Sequence, residues 1–445
     1  VVRDVSVTVN RVKTDGLVDG STVTDSQEDL ATTGANGHIV LRSATGDITV
    51  TDAADVNVLG VSANGSGNIL LDAVAGSIDI QTGIASGSGN ISILANVNVS
   101  QSAAASDIGT TGGTLDISAA TGSISMVDGS VSATGSGSIR YAAATTISLG
   151  GLSTTGHVSL SGTAITDGGD ANVDVVSSTL MVRATTGFGR GSNHIETTVG
   201  TLSAEVGSGG LFVTEGDGVV VDTVAAVTVN RVKTDGTVAG STVTDGALND
   251  VTTSSNGSVV LVSTLGDIVL KDGSDGDAKV VDVNGSGAIR VDAVVGAVDI
   301  QSGVSTGTGH ISVLAGTTLS QSTGASDIST VGGTVDVKAG TGISMVDGAL
   351  TSSGGGNVRY ESVTGDITLG EINAGAGKVG VIALAGSILD LGGDTSVVDI
   401  TASDLLLTAG TGIAASGDHL ETTVVNLTAK AGGGSMFLAE TDGVV

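Results

Sequence analysis

Gly67-Asn-Ile-Leu-Leu71, Gly89-Asn-Ile-Ser-Ile93 and Gly113-Thr-Leu-Asp-Ile117 decide the fold. Each is a glycine, a variable residue, then apolar side chains at alternating positions. Gly37-His-Ile-Val-Leu41, Gly137-Ser-Ile-Arg-Tyr141 and Gly156-His-Val-Ser-Leu160 extend the series on both sides. Period-2 alternation in runs this short, punctuated by Gly, Ser and Asn, reads as β-strands. Successive copies lie mostly about 19–24 residues apart, with one step near 30, and a second apolar strand follows each of them, as at Ile48, Ile78, Ile124, Ile147 and Ile165. A propeller blade needs about 40–45 residues, whereas a coil of roughly 22 suits one turn of a β-solenoid. A single turn cannot bury its own inner face, so stacking on the next turn must supply the core.

A longer repeat contains the short one. Val7-Thr-Val-Asn-Arg-Val-Lys-Thr-Asp-Gly16 recurs at Val227 to Gly236, and Ser21 to Asp25 recurs at Ser241 to Asp245. Ile124-Ser-Met-Val-Asp-Gly129 returns at Ile343 to Gly348, and the strand series returns at Val259, Ile289, Ile311, Val335, Val358 and Val379. The chain therefore reads as all-β, a right-handed parallel β-solenoid of roughly ten coils per unit, in two tandem units, residues 1–220 and 221–445. Irregular coils are expected near 52–60 and 272–282, with outlying loops near 186–195 and 410–420. The two ends fall at equivalent points of the repeat, which leads to the expectation that the rod continues in both directions.

Composition supports this reading. The chain has 445 residues with 72 glycines, no proline, no cysteine, no tryptophan and only 1% aromatics, yet 40% are hydrophobic and mean hydropathy is +0.38. A disordered Gly/Ser chain would lack that apolar content. Proline cannot donate to a ladder paired on both sides, and a narrow bore has little room for rings. Without cysteine there is no disulfide framework and no thiol chemistry. No apolar run is long enough to span a membrane. The net charge of −30 is shared almost evenly by the two halves, which disfavours nucleic acid and anionic membranes and favours divalent cations.

The Gly-x-Ile-x-Leu strand pairs resemble the haemagglutinin-type repeats of filamentous, two-partner-secreted surface proteins. Ile195 to Ala204 and Gly210 to Gly218 resemble the giant β-strand-repeat adhesins of bacterial surfaces. The resemblance covers the whole chain. It implies a right-handed parallel β-helix, secretion to the bacterial cell surface, and a role in adhesion or a surface fibre. Neighbouring repeats or chains of the same protein, and cell-surface or matrix glycans, would then be its partners.

Four groups of residues are candidates for more than scaffold. Asp272, Asp275 and Asp277 bring carboxylates close enough in sequence for Ca²⁺, without EF-hand order. Their first-repeat counterpart, residues 52–57, is poorer in carboxylates. Arg11, Lys13, Arg231 and Lys233 concentrate positive charge in an acidic chain. Alternation would aim them outward, with Val12 and Val232 inward, either to pair with Asp15 or an acidic residue of the next coil, or to dock on an acidic neighbouring rod. His194-x-Glu196 and His419-x-Glu421 put two metal-ligand types on one strand face, too few for a closed zinc site. Tyr141 and Tyr360, each after an arginine, are expected to pack over neighbouring coil surface, where a ring would also serve as a sugar platform. The alternative to a rod, a β-helix that degrades or binds polysaccharide, needs a cleft with clustered carboxylates and aromatic platforms. The acidic residues are scattered, and the chain reads as no enzyme.

Overall fold

The computed structural model describes residues 1–3, 5–18, 20–51, 58–391 and 397–444. Among these residues the secondary structure is strand, with no helix, and the chain winds a parallel β-solenoid of about 16 turns. The turns are fewer than the roughly ten per repeat that the spacing suggested. Each repeat devotes a segment near its start to an antiparallel hairpin outside the ladder, Val5–Asn10 with Thr22–Gln27 and Val227–Asn230 with Thr242–Asp245.

Two compact units can be distinguished. The first is residues 1–170 together with 227–245, and the second is residues 171–226 together with 246–445. The hairpin whose sequence opens the second repeat thus lies in the first unit.

In the first unit three strands make a coil, and the coils stack in register to give three faces. Inward residues form continuous ladders. On the second face Ile39, Ile69, Ile91, Leu115, Ile139 and Val158 are successive partners. On the third, Ile48, Ile78, Val99, Ile124, Ile147 and Ile165 follow one another. The first face runs Leu30, Val61, Ile84, Ile108, Ser132, Leu152. The second unit repeats the plan, with Val259, Ile289, Ile311, Val335, Val358 and Val379 on its second face. Nearly all these side chains are within a few per cent of full burial, and each contributes about 1.5–3 kcal/mol on leaving water.

The polar Ser132 in an apolar ladder has a partner to explain it. Tyr141 is fully buried, and its hydroxyl lies 2.6 Å from Ser132 Oγ and 3.1 Å from Gln101 Oε1. In the second unit Tyr360 is equally buried, with Thr351 Oγ1 at 2.6 Å and Gln321 Oε1 at 2.8 Å. The tyrosines therefore do not pack over the coil surface. The bore admits each of these rings because a hydroxyl and a glutamine amide satisfy the phenol there, and burial raises both phenol pKa values.

The motif glycines mark a corner where consecutive coils touch backbone to backbone. A Cβ on Gly89 would lie 2.0 Å from Gly67 O, and one on Gly113 would lie 2.0 Å from Gly89 O. Gly109, in the strand Ile108–Thr110, has open space around it. The substitution Gly113→Ala should therefore cost about 2 kcal/mol, while Gly109→Ala should stay within about 0.5 kcal/mol of the parent. Denaturant unfolding of the two variants checks the difference, and equal costs would contradict the stacked corner.

Candidate functional site

The most elaborate polar arrangement is the seat of the second hairpin on the first unit. The hairpin is held flat by its own ladder, Val227 to Asp245 through Asn230 to Thr242. Alternation gives it one apolar side, and that side is covered: Val227 and Val229 are fully buried and Val232 is 2% exposed. It lies across the outer side of the second face. Leu70, Ser92, Asp116 and Ser159, which point outward on that face, are all at most 2% exposed.

Charge fixes the placement. Arg231 Nε lies 2.6 Å from Asp116 Oδ2, and Arg140 Nη1 lies 3.2 Å from Asp116 Oδ1. Arg140 Nε reaches back to Asp245 Oδ2 at 3.0 Å, and Ser159 Oγ donates to the same oxygen at 2.6 Å. The Asp116 side chain is completely buried, a costly position for a carboxylate unless it is paired, and it holds two guanidinium groups. Backbone groups are anchored as well. Val232 N–H donates to Ser92 Oγ at 2.9 Å, Asn230 N–H to Thr114 Oγ1 at 2.8 Å, and Asn68 Nδ2 to Gly236 O at 2.9 Å.

Of the basic residues singled out in the sequence, Arg231 thus docks on an acidic residue of another coil. Lys233 pairs within its own turn, 3.6 Å from Asp235. Val232 points inward as expected, toward a solenoid face rather than into a bore. Arg11, Lys13 and Val12 behave differently. The strands of the first hairpin are exposed except at half-buried Val23, with Val7, Val9 and Val12 at 56%, 54% and 66% exposure. The expectation that Val12 points inward is corrected: the hairpin stands off the ladder, and nothing in the described structure covers it.

The acidic run comes together with a residue that the sequence reading missed. Asp250, Asp272, Asp275 and Asp277 each place a carboxylate oxygen within 4.8 Å of the others. Asp250 is 3% exposed and has a positive φ of 60°, and it accepts Gly273 N–H at 2.8 Å. Burial, then repulsion from Asp275, Asp272 and Asp277, pushes its pKa up to about 7. Burial also raises Asp272, with Asp275 and Asp277 adding to the shift, and its Oδ1 is buried without a hydrogen-bond partner. Four hard oxygen ligands in this spacing could hold a metal ion, and Ca²⁺ fits them by chemistry. Asp250 precedes the run by a whole coil, so spacing alone could not reveal it. The first-repeat counterpart, 52–57, lies outside the described residues.

A second acidic group, Asp390, Asp399 and Glu421, meets the same distance criterion. Burial drives Asp399 upward, and Asp390 and Glu421 reinforce the shift. His419 takes no part in it and packs instead on Phe437, with ring centroids 5.9 Å apart. His194 packs at a tilt on Phe212, with ring centroids 5.9 Å apart, and bonds Thr214 Oγ1 at 2.9 Å. The His-x-Glu repeat is thus a ring contact on the histidine side.

No helix of the described residues is long and apolar enough to cross a membrane. No protein-family model, curated protein or solved structure matches the chain.

Two outcomes follow. Because Asp250 holds its proton more tightly in the fold, the stability it contributes is full below about pH 4 and falls as pH rises through about 7, and Asp272 acts in the same direction. In chelator, the melting temperature should rise on going from pH 8 to pH 5. Ca²⁺ should remove part of that pH dependence, with a dissociation constant on the order of 10⁻⁴ M. Asp272→Asn with Asp275→Asn should abolish the Ca²⁺ effect, as read by calorimetric titration at constant ionic strength.

Limited trypsin digestion should cut after Arg11 and Lys13 well before Arg231. Arg231→Ala, which leaves buried Asp116 with one cation, should destabilise the docked hairpin by on the order of 2 kcal/mol and expose Lys233 to cleavage.

Proposed function

We propose that the chain is a segment of an extracellular structural rod, of the adhesive surface-fibre type, carried on a bacterial cell surface. The observation that carries this reading is repetition without specialisation. The same inward ladders pass from coil to coil in each unit, broken around the buried tyrosines. A spacer needs only that regularity. The exposed first hairpin adds a surface suited to contact with another such segment, and the net charge of −30 keeps the outer faces from adhering to one another indiscriminately. Glycans on a cell or matrix are the partner class that the adhesive reading implies.

No specific observation favours the polysaccharide-degrading alternative. The two tyrosines, which the sequence offered as ring platforms, lie in the core. Electron microscopy of the purified chain at rising concentration tests the reading. Rods that join end to end support it. Discrete particles that cleave a polysaccharide, with turnover lost on removing one carboxylate pair, would overturn it.

A further inference from the structure

The two repeats carry the same hairpin and the same solenoid face, but only one hairpin and one face are joined. Val227, Val229, Val232, Arg231 and Asp245 correspond to Val7, Val9, Val12, Arg11 and Asp25. The first set is docked and the second exposed. On the receiving side, Ser92, Thr114, Asp116 and Arg140 of the first unit correspond to Ser312, Thr334, Asp336 and Arg359 of the second. Asp116 is fully buried between two guanidinium groups. Asp336 meets Arg359 at 3.1 Å with both side chains 42% exposed. Arg290, at the position of buried Leu70, is exposed and turned toward Asp292. A groove crosses this open face along Arg359, Gly380 and Leu406, and Leu406 is 44% exposed.

We propose that the first hairpin, Val5–Gln27, of a second copy of this chain seats on the second face of the second unit. The contact reproduces the one already made within the first unit. Arg11 completes the cation pair around Asp336, and Asp25 meets Arg359. Val12 N–H donates to Ser312 Oγ, Asn10 N–H donates to Thr334 Oγ1, and Val7, Val9 and Val12 lose their water. Charge is complementary at Asp336, while at Arg359 the incoming Asp25 shares the guanidinium with Glu361 and makes a weaker pair than Asp245 does, and the exposed apolar side of the hairpin is the side whose equivalent is covered in the first unit. Ala288 and Gly380 replace Asn68 and Ser159, and His310 replaces Asn90, so two of the anchoring side-chain bonds disappear. The contact between copies is accordingly weaker than the one within the chain, and reversible. It joins two different surfaces, so it is heterologous and propagates as an open filament where the rotation between copies does not close a ring.

The inference deepens the rod reading and rests on it, yet its test reads the contact itself. The chain has no cysteine, so introduced thiols report single pairs. Size-tagged Val12→Cys chains are mixed with untagged Ser312→Cys chains under mild oxidation. The control partner is Ser344→Cys, whose serine is exposed on the third face of the same unit. The mixed disulfide should form with Ser312→Cys and not with Ser344→Cys. Adding Asp336→Arg to the Ser312→Cys chain should cut its yield about tenfold, the effect of roughly 1.4 kcal/mol. Adding Arg11→Asp to the Val12→Cys chain should restore it. None of these positions lies in the core, and unchanged circular dichroism confirms the fold. Equal yields with Ser312→Cys and Ser344→Cys, or yields indifferent to the charge reversals, overturn the proposal. Fibres seen by microscopy without this crosslink would leave the rod reading standing and sink this contact.

Discussion

A coil of two dozen residues has one apolar side and nothing of its own to cover it. Everything else in this protein follows from that constraint. The inner side is buried only by the coils before and after, so nearly every coil presents Ile, Val or Leu at the same three places, Ser132 and Thr351 being the exceptions that serve the buried tyrosines. The backbones must also approach closely at the corner, which is why Gly67, Gly89, Gly113 and Gly137 succeed one another there with carbonyl oxygens about where a Cβ would be. The parallel ladder satisfies the backbone on both sides of each interior strand, and the absence of proline follows from the same requirement.

Most of this was legible because it is periodic. The strand starts at Ile69, Ile91, Leu115 and Ile139 could be read from the glycine two residues before each, and the structure pairs those four residues directly. What the period could not show was where it lapses. Val7-Thr-Val-Asn10 alternates as a ladder strand does, but its partner is Thr22–Gln27 in an antiparallel pair, and a local pattern does not distinguish a solenoid strand from a hairpin strand. The coil count was overestimated for the same reason. A narrow bore has little room for rings, and on that reading alone Tyr141 belongs outside. The compensating Gln101 lies two coils away, 40 residues earlier, at a distance that no local window spans. Asp250 was missed on similar grounds, since it joins Asp272 through the stacking of coils.

Electrostatics divides the outer surface into two kinds of site. Where a cation is supplied by a neighbouring element, as at Asp116, a carboxylate can be buried outright. Where only carboxylates meet, as at Asp250, Asp272, Asp275 and Asp277, the fold holds a proton or must be given a metal ion. Both are departures from the repeat, and neither is needed for the core. They are the places where a repetitive scaffold acquires direction: one hairpin is covered by a solenoid face, and its twin is not.

The difference between those twin hairpins is the centre of the account, and hydrogen–deuterium exchange on the intact chain measures it directly. In dilute solution the amides of residues 227–245 should be protected to an extent close to that of the ladder strands, while those of residues 5–27 exchange rapidly. As protein concentration rises, protection should appear in residues 5–27 and along the outer side of the second unit's second face, with residues 227–245 unchanged. Equal protection of the two hairpins at every concentration would contradict the account.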